Sequence, residues 1–455
     1  MNRFEPQSLS ALGAIYHMND AARALYYVLH SLQHRGQDAA GMACTDGERV
    51  VCEKNNGMLS EIFQEGVLAE LNGCSALGHV RLASAQDRDL ENVQPIVVRA
   101  HQGHFAIATT GTIQNAAALR DAMEADGLIF QGVSDAELIA HLIQFYPGHL
   151  FEKIMQACSK LEGSYTFVVM TKNTMYAMRS PDGIHPLWIA QSGASTVVAS
   201  ESAAFTMLDI DSMREVRPGE LIRLGLEGAQ SFETGDGEPA RPCAMEYVYY
   251  ARPDSMLENR NVHAVREDCG ILLAEEETVD ADIVVGVPDT AMSAAAAFAR
   301  ALNKPYEIGL IKNRYIGSTY IRPSAQQREQ GIRTRLNAIS SIVRGKRVYL
   351  VDDSLVKGFT AKRLCQLMKE AGASEVHLRI ASPRIAHPCV YGYEEARAGQ
   401  LAAARYTDEE MCQLFGADSI RFLDEDAFRL CVGPASCMAC MNGRYVDVDP
   451  KNGRK

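Results

Sequence analysis

From residue 236 onward, four short apolar, β-branched runs near Ile283 to Val287, Tyr306 to Ile311, Val348 to Val351 and Val376 to Ile380 alternate with helical segments. A strand that returns beside its predecessor after a helix does so as a parallel sheet with helices on its faces. A doubly wound parallel α/β sheet is therefore expected for this half. With 455 residues, 47% of them apolar, the chain also has material for a second core ahead of it. The polar, turn-rich run Phe232 to Pro239 marks the boundary, dividing the chain into 1–235 and 236–455. The first half mixes short strands such as Ser164 to Met170 and Thr196 to Ala199 with predicted helices over Ala21 to Arg35 and Ala136 to Tyr146. The second of these stops at Pro147 and Gly148, giving an α+β pattern.

Charge and composition exclude several function classes. A formal net charge of −12 argues against a general nucleic-acid binder. No run of eighteen apolar residues and no basic, apolar leader is present, so a cytoplasmic protein that engages no membrane is expected. Twelve cysteines in such a chain read as thiols or metal ligands rather than a disulfide framework.

The most chemically suggestive stretch is RVYLVDDSLVKGFT, Arg347 to Thr360, in which an apolar strand delivers Asp352 and Asp353 into a loop that opens a helix near Gly358 and Thr360. Backbone N–H groups at such a helix start favour a phosphate, and paired acids can hold hydroxyls or Mg²⁺. Any doubly wound sheet carries acids at the carboxyl ends of its strands, so the motif alone leaves a generic α/β site open. Lys312, Arg314, Arg322, Arg328, Arg333, Arg335, Arg344, Lys346 and Arg347 follow in one stretch against the single acid Glu329. That excess suits an anionic ligand or a solvated basic loop. Gly317, Pro323 and Gly331 favour a mobile lid.

These residues carry a family resemblance. VDDSLVKGFT, GVPDT from Gly286, KNRYIGSTYI from Lys312, PSAQQREQGIRTRL from Pro323 and MEYVYYARPDS from Met245 resemble glutamine phosphoribosylpyrophosphate amidotransferase. LHSLQHRGQDAAG from Leu29, GHVR from Gly78 and SDAELIAHLI from Ser134 extend the resemblance over nearly the whole chain in order. It implies an N-terminal-nucleophile αββα glutaminase domain that frees ammonia, followed by a type I phosphoribosyltransferase domain. The second domain would use ammonia to displace pyrophosphate from phosphoribosylpyrophosphate, giving 5-phosphoribosylamine for purine synthesis. By that resemblance Asp352 and Asp353 hold ribose hydroxyls and Mg²⁺, with Thr290 on the metal side. Ser354, Leu355, Val356, Lys357, Gly358 and Thr360 cradle the 5-phosphate, and Lys312, Arg314, Arg328, Arg333 and Arg335 meet pyrophosphate. Purine nucleotides as inhibitors and a homo-oligomer are implied as well.

The chain departs from the family pattern in both halves. The family's glutaminase uses a cysteine at its mature N-terminus, with its own α-amino group as base, whereas the first cysteine here is Cys44. Counting back from Tyr26 and Tyr27 puts the nucleophile position at Ser10, or at Leu9 if the alignment slips by one. The family's oxyanion Asn-Gly pair reads Thr110 and Gly111, and losing one such donor costs about a hundredfold in rate. Leu82 stands where a tyrosine follows GHVR. Arg81, which would pair with the glutamine carboxylate, and Asp135, which would take its α-amino group, persist, as do Arg35 to Gln37. Three alternatives follow. The preferred one is a structural relic with Asp135 as a helix cap and Arg35 in a buried ion pair. In the second, glutamine binds without cleavage. In the third, Ser10, exposed by removal of Met1 to Leu9, acts as an oxygen nucleophile. In the second half Lys357 replaces an arginine, Phe359 a threonine and Ser318 an arginine, with Phe359 expected to put a ring in the phosphate cradle.

Cys437 and Cys440 form a CxxC in PASCMACMNG, and the resemblance places Cys243 and Cys389 as two further ligands. Four thiolates can hold a [4Fe–4S] cluster or zinc; the resemblance favours the cluster. Cys44, Cys52, Cys74, Cys158, Cys269, Cys365, Cys412 and Cys431 are expected to be core thiols. Two function classes stay open: an ammonia-dependent phosphoribosyltransferase, and a non-catalytic paralogue that binds phosphoribosylpyrophosphate or purine nucleotides and regulates a complete amidotransferase.

Overall fold

The computed structural model describes residues 9–83, 88–100, 103–210, 212–235, 239–313, 336–393 and 396–446. Of the sequence-derived expectations, those on Arg314, Ser318, Arg322, Arg328, Arg333, Arg335 and the junction residues 236–238 lie outside the described residues. The chain forms two compact units. The first takes residues up to Pro242 together with the short segment from Val390, and the second takes Cys243–Cys389 and Ala396–Val446.

The first unit is the expected αββα sandwich. One antiparallel sheet of seven strands runs in the order Met213–Glu215, Trp188–Ser192, Ser195–Ala199, Ser10–Tyr16, Ser75–Arg81, Ala39–Thr45 and Val50–Asn56. The other, of six, runs Gly228–Glu233, Glu220–Gly225, Met175–Arg179, Gly163–Thr171, Gly103–Ile113 and Ile96–Ala100. Period-two alternation turns Leu12, Ala14 and Leu77 of the first sheet against Ala106, Ala108, Val168 and Met170 of the second, making the inter-sheet core. Helix Ala21–Ser31 lies on the outer face of the first sheet, where Gly13 leaves room for Leu25, Val28 and Leu29. Helix Asp135–Phe145 covers the second sheet, burying Leu138, Ile139 and Leu142.

Two expectations shift here. The helix predicted to reach Arg35 ends at Ser31, and a tight turn covers Gln33–Arg35. The chain must turn because Gly36 abuts the Arg81 backbone, where an added Cβ would lie 2.3 Å from its nitrogen. The second helix is capped by Ser134, whose side chain accepts from the Ala136 N–H at 3.2 Å, so Asp135 is its first residue and not its cap.

The second unit holds the parallel sheet, with strands Ile283–Gly286, Arg347–Asp352, Glu375–Ile380 and Ser419–Phe422 in that spatial order. Central strand Arg347–Asp352 is flanked on both edges, and Val348, Leu350 and Val351 are fully buried. The expected strand at Tyr306 to Ile311 splits. Only Tyr306 bridges to Val284, while Leu310–Lys312 pairs antiparallel with Leu336–Ala338 in a separate ribbon. Gly309 sits at the split, where a Cβ would meet Val285 at 2.6 Å.

Helices Val262–Glu275 and Met292–Ala301 pack against each other so closely that a Cβ on Gly270 would fall 2.1 Å from the Ala294 carbonyl oxygen. Backbone cannot yield as a flexible side-chain tip can, so the contact admits only glycine. Gly270→Ala should therefore lower stability by about 1–3 kcal/mol, read as a reduced urea midpoint at unchanged slope.

Candidate functional site

Strand register assembles the principal site. Gly286 lies opposite Val351, and the Val287 N–H donates to the Val351 carbonyl at 2.9 Å, so the loop Val287 to Thr290 leaves the sheet beside Asp352 and Asp353. Loops at the carboxyl ends of neighbouring parallel strands meet in this way at a crevice. Thr290 Oγ1 donates to Asp353 Oδ2. Ser354 Oγ donates to Asp353 Oδ1 at 2.7 Å, and the Asp353 N–H donates to Asp352 Oδ1 at 3.0 Å. Both acids are buried. Burial, with mutual repulsion added at Asp352, pushes both carboxyls above their ordinary value. A cation or a set of sugar hydroxyls between them would reverse that penalty.

The loop after the acids turns into helix Phe359–Glu370 through Gly358, whose φ of +78° and close approach to the Phe415 ring exclude a side chain. Leu355 inserts into the core beneath the loop, and the Val356 carbonyl accepts the Ala402 N–H at 2.8 Å, fixing the loop from below. Lys357 is exposed, and the Phe359 ring is 68% exposed at the helix start. Lys312 pairs with Asp289 at the mouth of the GVPDT loop. Arg347, grouped in the sequence with the anion-binding basic residues, instead pairs with Asp280 and Asp282 at 3.0 and 2.9 Å. It stands at the start of the strand whose far end carries Asp352, and so lies at the amino end of the strand, away from the acids.

One residue next to the acids escaped sequence reading. Arg266, in helix Val262–Glu275, is buried, lines a small cavity with Tyr247, Cys269, Thr290 and Asp353, and lowers the Asp353 carboxyl against the rise that burial imposes. Its segment, VHAVRED, carries no motif, so only packing reveals it.

In the first unit, Ser10 lies opposite Arg81 in the sheet and its hydroxyl donates to Thr110 Oγ1 at 2.9 Å. Thr110 Oγ1 in turn donates to the Ser10 carbonyl at 3.2 Å. Gly111 has φ +97°, and a Cβ there would fall 2.2 Å from the Ser164 carbonyl oxygen. Ser10, Arg81, Thr110 and Asp135 are all buried, and Asp135 Oδ2 accepts the Ile113 N–H at 3.0 Å. Arg35 forms a buried ion pair with Glu201, whose Oε1 also lies 2.6 Å from His34 Nε2. The segment Tyr391 to Tyr393 backs this region. The Tyr391 carbonyl meets His185 Nε2 at 2.7 Å, Tyr393 stacks on His185 at 4.3 Å, and Gly392 comes so near Gly111 that a Cβ would lie 3.1 Å from its carbonyl carbon.

The four cysteines singled out above converge in the second unit. Cys243 bridges to Cys437 through backbone, with the Ala244 N–H donating to the Cys437 carbonyl at 3.0 Å, and the N–H groups of Ala386 and His387 both reach the Cys440 carbonyl. Burial first, then Cys437, Cys389 and Cys440, push the Cys243 thiol well above its ordinary range. Among the described residues no group of three or more His, Cys, Asp or Glu is gathered tightly enough to hold a metal ion as placed. Of the expected core thiols, Cys44, Cys158, Cys269, Cys365 and Cys431 are buried, while Cys52, Cys74 and Cys412 are only partly so. No helix among the described residues is long and apolar enough to cross a membrane.

Comparison with known proteins matches residues 79–207 to a glutamine amidotransferase domain and 271–384 to a phosphoribosyl transferase domain. The chain is 43% identical to the amidophosphoribosyltransferase of Bacillus subtilis (strain 168), over 95% of this chain and 92% of that protein. It is 37% identical to that of Methanocaldococcus jannaschii, over 94% and 95%. A solved structure of glutamine phosphoribosylpyrophosphate amidotransferase from B. subtilis, complexed with ADP and GMP, superposes with a TM-score of 0.90 at 42% identity, covering 96% of this chain and 97% of that one. Another, described as the allosteric regulatory enzyme of purine biosynthesis, gives 0.93 at 42% identity, covering 97% of each chain.

Burial pushes His79 down to about 3 and His185 down to about 4, so both are neutral in the fold at pH 7. Their unfolded forms protonate near pH 6.5. The neutral histidines therefore impose no penalty above that value, and stability is lost as the pH falls from about 6.5 toward 4, where the unfolded chain binds the extra protons. Denaturant midpoints at pH 7 and 4.5 should show the loss, with His185 contributing up to about 3 kcal/mol. His185→Gln should flatten the slope.

Proposed function

This chain belongs to the amidophosphoribosyltransferase family, and from that premise we propose that its second unit transfers the phosphoribosyl group of phosphoribosylpyrophosphate to ammonia. The C1–O bond to pyrophosphate breaks, the C1–N bond of 5-phosphoribosylamine forms, and the ammonium proton so produced passes to solvent. The observation that carries this reading is the buried pair Asp352–Asp353 at the end of the central strand with Thr290 bonded to it. Asp352 and Asp353 hold the ribose hydroxyls, and with Thr290 form the Mg²⁺ side of the site. When bound, Mg²⁺ offsets the charge of the departing pyrophosphate. Backbone N–H groups of Ser354, Leu355, Val356, Lys357, Gly358 and Thr360 receive the 5-phosphate, and Lys312, Arg314, Arg328, Arg333 and Arg335 neutralise pyrophosphate. Ammonia needs little acid or base help, so positioning and charge neutralisation supply most of the rate.

The first unit is proposed to be inactive as a glutaminase and retained as a relic. Ser10 takes the nucleophile's place, its hydroxyl bonded to Thr110. The Leu9 carbonyl, just ahead of the strand, accepts the Leu82 N–H at 2.9 Å, and as long as Leu9 stays attached the Ser10 nitrogen is an amide that cannot act as a base. The Arg35–Glu201 pair gives that arginine a structural role. Arg81 and Asp135 remain the residues through which glutamine would bind without cleavage. Thr110 and Gly111 supply one oxyanion donor fewer than the family pair.

Cys243, Cys389, Cys437 and Cys440 are proposed to hold a [4Fe–4S] cluster. Cys437, Cys389 and Cys440 all act on the Cys243 thiol; four thiolates can hold either such a cluster or zinc, and the family resemblance favours the cluster. A cytoplasmic homo-oligomer that binds purine nucleotides completes the proposal, in line with the ADP and GMP of the B. subtilis structure. A second reading, a non-catalytic paralogue that binds phosphoribosylpyrophosphate or purine nucleotides and regulates a complete amidotransferase, is motivated by the departures at both sites, Ser10 and Thr110 in the first unit and Lys357, Phe359 and Ser318 in the second.

Purified protein given phosphoribosylpyrophosphate, Mg²⁺ and ammonium should release pyrophosphate, and Asp352→Asn or Asp353→Asn should cut the rate by about a hundredfold or more. Ligand binding with no release would instead establish the paralogue. Glutamine should not replace ammonium, and glutamate release abolished by Ser10→Ala would overturn the inactive reading of the first unit. Anaerobically purified protein should contain iron and acid-labile sulfide, and zinc in their place would refute the cluster.

A further inference from the structure

We propose that Arg266 is a positioning residue of the phosphoribosyl site, a fixed buried charge that sets the balance between cation and anionic sugar phosphate at Asp352 and Asp353. This rests on reading those two acids as the Mg²⁺ and phosphoribosylpyrophosphate site.

Three features hold the guanidinium in place. Helix Val262–Glu275 is drawn tightly onto helix Met292–Ala301 through Gly270, which fixes the face that carries Arg266. Arg266 Nε donates to the Tyr247 carbonyl at 2.7 Å, and Nη2 donates to the Ala251 carbonyl at 2.8 Å. Those carbonyls belong to the wide turn Glu246–Tyr250 and the residue after it, within MEYVYYARPDS. The two carbonyls orient the guanidinium beside the cavity that Thr290 and Asp353 also line, and its charge acts on the Asp353 carboxyl. With both acids and Arg266 buried, water screens that field weakly.

Electrostatics then predicts opposite effects on the two ligands. Removing the positive charge leaves the acids more attractive to a divalent cation and the site less attractive to a polyanion. Damage to packing would weaken both.

The test compares wild type, Arg266→Gln and Arg266→Lys, with Mn²⁺ binding read by electron paramagnetic resonance and phosphoribosylpyrophosphate binding by calorimetry in excess Mg²⁺. Arg266→Gln should bind Mn²⁺ about threefold more tightly and phosphoribosylpyrophosphate about tenfold more weakly. Arg266→Lys, which keeps the charge and loses the fork, should return both toward wild type. If both affinities fall together, or neither moves, the proposal fails. Should Arg266→Gln not fold, Arg266→Met takes its place, with the same opposite shifts supporting the proposal and a joint loss or no change overturning it. A wild-type chain that binds neither ligand overturns this inference together with the reading beneath it.

Discussion

Two adjacent carboxylates cannot be buried at low cost, and much of the second unit is arranged around that constraint. Asp352 ends a strand that is paired on both edges and Asp353 follows it directly, so the backbone has little room to shift and relieve them. Relief comes from hydroxyls and N–H groups instead: Thr290, Ser354 and the Asp353 amide. What those groups leave uncompensated makes the site receptive to a cation and to sugar hydroxyls. The register of two strands, Gly286 against Val351, is what brings Thr290 within reach.

The parallel sheet was legible because hydrophobic period and turn chemistry agree over the second half, whereas in the first half they showed only strands mixed with helices and the sandwich came through the family resemblance. Where sequence reading slipped, a local steric or pairing contest decided. Gly36 against Arg81 ended a helix early, and Gly309 against Val285 split a run that looks uniformly like strand. Ser134 displaced Asp135 as the cap because its shorter side chain sits one residue earlier, at the position with extended backbone. Asp352 and Asp353 stood out from the strand that leads into them, and Thr290 came only through the family resemblance. Arg266 came by neither route, because a helix-face arginine looks solvated until a turn distant in sequence offers it two carbonyls. Arg347 erred the other way, since a charge count is blind to which end of a strand a residue occupies.

The first unit meets its buried polar groups largely from within. Ser10 and Thr110 satisfy each other, Arg35 is neutralised by Glu201, and Asp135 is occupied by a backbone amide. Each of these bonds offsets part of the cost of burying the groups that make it. The glycine at 111 is kept by the Ser164 carbonyl, whatever becomes of the residue beside it.

Tyr391 to Tyr393 complete the first unit from far along the chain. The chain leaves the first unit, builds most of the second, and comes back to lay three residues against His185 and Gly111 before departing again. The first unit is thus closed by a piece encoded some 150 residues downstream of its main body. A gene that discarded the N-terminal half would strand two tyrosines without a seat, and one that kept only that half would leave His185 without its lid. Deletion can prune a domain that is contiguous in sequence; one stitched through its neighbour is inherited whole.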